Sequence, residues 1–98
     1  MTLNDLLQDI YLLENEMRNF ERKYGVLSET FYQSYINGEE PSDDSWVRDW
    51  AAWGSAYKLW LKRRKKYQMT EQKLRYETQT IIAIIEKTAK HEPIQILA

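Results

Sequence analysis

An all-α fold follows from three features of this 98-residue chain. Glycine and proline number only three and two, while Lys, Glu, Gln and Leu-type helix formers are common. Leu3, Leu6, Ile10, Leu13, Met17, Phe20 and Tyr24 alternate steps of three and four, a heptad-type seam. Trp46, Trp50, Trp53, Tyr57, Trp60 and Tyr67 form a second row at helical spacing, and all four tryptophans lie in it.

The seam predicts a first helix over 3–24, about 33 Å long at 1.5 Å per residue. Thr2 or Asn4 can cap its start, with Asp5 and Asp9 near the positive end of the helix dipole. Gly25 is placed to stop it as a left-handed residue. Leu6, Ile10, Leu13, Met17 and Phe20 are the expected core of this element.

Ser28 opens a short second helix, with Glu29 in its first turn and Phe31, Tyr32, Tyr35 and Ile36 as its apolar face. Asn37-Gly38 ends it. Glu39 to Asp44 is an acidic loop carrying Pro41.

A long third helix, aromatic then basic, is expected over about 44–90, capped by Ser42, Asp43 or Asp44. No proline interrupts it, and the lone Gly54 costs about 1 kcal/mol without forbidding a helix. Its seam continues through Leu74, Ile81 and Ile85. His91 sits at its end as a cation near the helix dipole, and Pro93 forbids easy continuation. Residues 1–92 therefore read as one helical domain and 93–98 as a short apolar tail.

A first helix of this length covers only half of the third. The third helix then bends, near Gly54 or Gln68-Met69-Thr70, or a second chain covers it. The expected architecture is a helical hairpin or coiled-coil bundle completed by self-association, as a dimer.

Charge is distributed unevenly. Residues 1–49 hold eleven acids and four bases, a net −7; residues 50–98 hold ten bases and four acids, a net +6. The halves either neutralise each other or leave the basic half open to an anionic partner. Five successive cations, Lys62 to Lys66, point all round a helix, so contact with phosphates would be sequence-independent and salt-sensitive. Arg64 falls in the aromatic seam between Trp60 and Tyr67, where it can stack on either ring.

Catalysis finds no support. Cysteine is absent and histidine occurs once, so thiolate chemistry and a Cys/His zinc site are excluded. No Gly-rich phosphate loop, nucleophile elbow or His-Glu-x-x-His pair is present. No cofactor or metal is expected. The N-terminus lacks a basic start followed by an apolar run, and no stretch approaches a membrane span, so a cytoplasmic protein without membrane contact is expected.

The segment Phe20-Glu21-Arg22-Lys23-Tyr24-Gly25, then Ser28-Glu29-Thr30-Phe31-Tyr32, then Gly38-Glu39 with Asp43-Asp44 and the aromatic helix from Trp46 to Trp53 resembles a known group. These are small helical proteins found beside toxin genes in bacterial and archaeal toxin–antitoxin pairs. The resemblance covers about residues 17–60. It implies an antitoxin that binds and blocks a cognate toxin, often a ribonuclease, and that oligomerises. No helix-turn-helix or ribbon-helix-helix pattern accompanies it, which speaks against sequence-specific DNA binding.

Rows of Trp and Tyr are either core or interface. As an interface, the row would offer Trp50, Trp53, Tyr57, Trp60 and Tyr67 as anchors, with Arg63 and Arg64 beside them. The apolar tail adds Ile94, Ile96 and Leu97. The alternative to toxin binding is a coiled-coil module held to nucleic acid by Lys62 to Lys66.

Overall fold

The computed structural model describes residues 1–76 and 80–94. Within them lie α1 (Leu3–Tyr24), α2 (Ser28–Ile36), a 3₁₀ turn (Asp44–Trp46), α3 (Val47–Tyr76) and α4 (Ile81–Ala89). The all-α class holds. The chain divides into two compact units, Tyr11–Leu61 and Met1–Ile10 with Lys62–Ala98.

Local chemistry explains each boundary. Thr2 and Asp5 form a reciprocal capping box at α1: Asp5 N–H donates to Thr2 Oγ1 and Thr2 N–H to Asp5 Oδ2. The same contact, the hydrogen bonds from Thr2 above all, holds the Asp5 carboxyl below its ordinary pKa. Gly25, at φ +79°, stops α1, with its N–H on Glu21 O. Gly38, at φ +85°, ends α2 in a Schellman turn, with Glu39 N–H bonded to Ser34 O and Gly38 N–H to Tyr35 O.

Asp43 caps the turn that leads into α3, accepting from Ser45 N–H and Ser45 Oγ–H. α3 then runs uninterrupted through Gly54 and through Gln68-Met69-Thr70. Both positions of the expected bend lie inside this one continuous helix.

The single helix over 44–90 is corrected in two places. Its first residues form a 3₁₀ turn, and its far end is a separate helix. At Thr80 the backbone is extended (φ −81°, ψ 160°) and the side chain accepts from Ala83 N–H at 3.1 Å, which caps α4. This restart resets the helical phase. Leu74 is buried as the seam requires, but Ile81 and Ile85 are exposed, and Ile84 packs inward instead.

In the unit Tyr11–Leu61, the core is Met17, Phe31, Trp53 and Ala56, with Leu13, Phe20, Tyr24, Tyr32 and Tyr35 packed round it. The seam of α1 thus meets the aromatic row of α3, as the spacing predicted. Of the expected seam core, Leu6, Ile10 and Met17 are buried, whereas Leu13 and Phe20 are half-buried.

In the other unit, Leu3, Leu74 and Ile94 form a smaller cluster with Tyr67 and Ile84 against it. Leu3 N–H donates to Ile94 O at 2.7 Å, so the chain after α4 is tied to the start of α1. His91 makes that return possible. It occupies the left-handed region (φ 59°) after α4, while His91 N–H bonds Thr88 O and Glu92 N–H bonds Lys87 O. This is a Schellman stop with histidine where glycine is usual. Its role is conformational, a feature its expected charge did not reveal.

Candidate functional site

Trp53 organises the Tyr11–Leu61 unit. It is fully buried. Phe31 lies flat on it, ring centroids 3.9 Å apart and planes 4° from parallel, and Phe20 and Tyr24 stack at 5.8 and 5.7 Å. Its indole N–H donates to Ser28 Oγ at 2.8 Å. Ser28 Oγ–H in turn donates to Glu21 Oε2, which also accepts from Ser28 N–H. The residue before α2, Leu27, has no capping side chain, so Glu21 serves as a cap supplied from α1.

One face of this aromatic assembly is open. A groove of about 530 Å³ is lined by Tyr24, Phe31, Trp46, Trp50 and Trp53, with Lys23, Val26, Thr30 and Ser34 completing it. Tyr24 meets Trp46 and Trp50 edge-on, at 76° and 87°, and Phe31 meets Trp50 at 80°. These crossed rings wall an apolar depression of a size typical of ligand and side-chain sites. Trp46 is 40% exposed and Val47, next to it in the chain, 50%. Trp50 Nε1 is shielded from water and has no hydrogen-bond partner among the described residues.

Asp49 fixes the Tyr24 side. It accepts from Lys23 Nζ and from Tyr24 OH, each at 2.6 Å. The hydrogen bond from Lys23, then that from Tyr24, holds the Asp49 carboxyl below its ordinary pKa. The Asp49 hydrogen bond raises Lys23. Burial, then the Asp49 contact, raises the Tyr24 phenol.

The residues expected to bind a partner fall into distinct places. Trp50 lines the groove, and Trp53 forms its floor while belonging to the core. Tyr57 and Trp60 are half-buried, stacked at 5.7 Å, and line a separate depression of about 240 Å³ beside Met17, Glu21 and Ser28. Burial raises the Tyr57 phenol. Arg63 lies 3.6 Å from Asp9. Arg64 is exposed. Tyr67 and Ile94 belong to the Leu3–Leu74 cluster, Ile94 buried within it. Ile96 and Leu97 lie outside the described residues. Of the basic run, Lys62 and Lys65 are exposed and Lys66 is half-buried.

The expected site thus overlaps the groove only at Trp50 and Trp53. Tyr24, Phe31 and Trp46 are the additions. Each was legible as part of an apolar stripe, but their convergence depends on the turn at Gly25 and the return of α3, which no local pattern encodes. Among the described residues, no group of three or more His, Asp or Glu could hold a metal ion, and no helix is long and apolar enough to cross a membrane.

Compared with known proteins, the chain matches no family model, no curated protein and no solved structure.

Proposed function

We propose that this chain is a toxin-neutralising interaction protein whose partner seats on the groove of Tyr24, Phe31, Trp46 and Trp50. The observation that carries the reading is the groove itself: crossed aromatic rings left open on a small helical unit. Trp and Tyr in such settings dominate interface energetics, and concentrated apolar exposure on a small protein marks a contact surface. The resemblance of residues 17–60 to antitoxins supports a toxin as the partner. A cytoplasmic location belongs to the same proposal.

The test is growth rescue on co-expression with the neighbouring gene, the candidate toxin. Trp46→Ala removes a half-exposed groove wall and should abolish rescue while circular dichroism stays unchanged. Full rescue by Trp46→Ala would move the partner elsewhere, with Trp60 and the segment 93–98 next to be tested.

Self-association as a dimer is part of the proposal. Its support is α4, nine residues long, with Ile81, Ile82 and Ile85 exposed at 37, 67 and 59% on one face. Sedimentation at micromolar concentration would show a dimer that Ile82→Lys disperses. Nucleic-acid contact through Lys62 to Lys66 is the weaker reading, since Arg63 already faces Asp9.

A further inference from the structure

The groove's surroundings say what kind of partner segment it takes. The Tyr11–Leu61 unit holds nine acids and five bases, a net −4. The loop over 37–43 leaves α2 just after Ser34 and returns just before Trp46, and both residues line the groove. That loop and the turn after it carry Glu39, Glu40, Asp43 and Asp44, all exposed. Asp43 is occupied by Ser45. Among the described residues, Glu39, Glu40 and Asp44 form no ion pair with any cation of the chain. Lys23, the one cation among the described residues that line the groove, is neutralised by Asp49 at 2.6 Å. Apolar walls, a paired cation and three acids without an ion pair at the chain entry, against Arg48 as the exposed cation in the first turn of α3, leave the surroundings of the groove net negative.

Resting on the proposed function, we infer that the groove takes a bulky apolar side chain carried on a cationic segment of the partner protein. The apolar side chain fills the space between Trp46, Trp50 and Phe31. Its flanking Lys or Arg residues lie against Glu39, Glu40 and Asp44. An anionic segment would meet these acids and be repelled.

Two short synthetic peptides test this on the full chain, read by tryptophan fluorescence. Both carry a Leu-Phe centre; one is flanked by lysines and the other by glutamates. The lysine peptide should bind saturably, and raising salt from about 50 to about 500 mM should weaken it several-fold. Trp46→Ala should weaken it by at least about tenfold. The triple variant Glu39→Gln, Glu40→Gln, Asp44→Asn should remove most of the salt dependence while leaving the circular dichroism unchanged. Equal binding of both peptides, no binding of the lysine peptide up to millimolar concentration, or full salt dependence in the folded triple variant overturns the inference. If co-expression rescue still depends on Trp46 under any of these outcomes, the proposed function stands and only the assigned partner chemistry falls.

Discussion

The indole N–H of Trp53 donates to Ser28 Oγ over 2.8 Å, joining the second turn of α3 to the first turn of α2. Ser28 passes the bond on to Glu21 of α1, so one buried hydroxyl links three helices. A buried donor that loses its acceptor bears its full desolvation cost, about 1–3 kcal/mol. Ser28→Ala should therefore lower unfolding free energy by about that amount in urea titration. Trp50 supplies the control. Among the described residues its N–H already lacks an acceptor, so Trp50→Phe removes a penalty together with ring contacts and should stay within about 1 kcal/mol of wild type. Trp53→Phe, losing both ring area and the Ser28 bond, should cost about 2–4 kcal/mol. Equal costs for the two tryptophans would contradict this assignment.

Gly54→Ala tests how closely α2 and α3 approach. Alanine gains about 1 kcal/mol of helix propensity. A Cβ at this position, however, would stand 2.5 and 2.9 Å from two Tyr35 ring carbons, and Tyr35 is held by stacking on Phe31 at 5.4 Å. Overpacking of this kind costs about 1–3 kcal/mol, so the substitution should destabilise on balance. Adding Tyr35→Leu should recover the loss, and a stabilised single variant would mean the helices are further apart.

His91→Gly should act in the opposite direction. A left-handed conformation costs a non-glycine residue about 1–2 kcal/mol, and φ at His91 is 59°. Relief of that strain, less the greater chain entropy of glycine, should leave a gain of about 0.5–1 kcal/mol. Thermal unfolding would detect it as a Tm a few degrees higher. A lower Tm would assign the imidazole a contact beyond its backbone role.

The Lys23–Asp49–Tyr24 contact gives stability a pH signature at both ends. Asp49 titrates below its ordinary 3.8 in the fold, so its contribution is present above 3.8 and fades as pH falls below that value. Lys23 and Tyr24 titrate above their ordinary 10.5 and 10.0, so theirs is present below those values and fades as pH rises past them. In Asp49→Asn both the alkaline loss and the acid loss should shrink. An unchanged pH profile in that variant would mean the contact does not persist in solution.

Much of this fold was legible because its signals are local. Gly25 and Gly38 end helices at the positions their chemistry predicts, and the seam from Leu6 to Met17 marks the buried face of α1. The break before α4 was missed because Thr80 is a modest cap hidden in a run free of proline and glycine. By sequence alone, an isoleucine run after a threonine continues a helix as readily as it restarts one. The groove was legible only in part. Trp50 and Trp53 announce themselves by spacing, but Tyr24 and Trp46 meet across 21 intervening positions and a chain reversal set by the Gly25 turn. Ser28 read as the start of a helix, and its bond to Trp53 belongs to packing that no spacing encodes.

The central claim is that a partner protein is held by the open aromatic groove. Isothermal titration of the purified product of the gene neighbouring this one, the candidate partner, against this chain tests it most directly. Binding should weaken by at least about tenfold, or 1.4 kcal/mol, in Trp46→Ala, with the unfolding temperature within a few degrees of wild type. An affinity unchanged by Trp46→Ala, or no binding by the wild-type chain, would contradict the account.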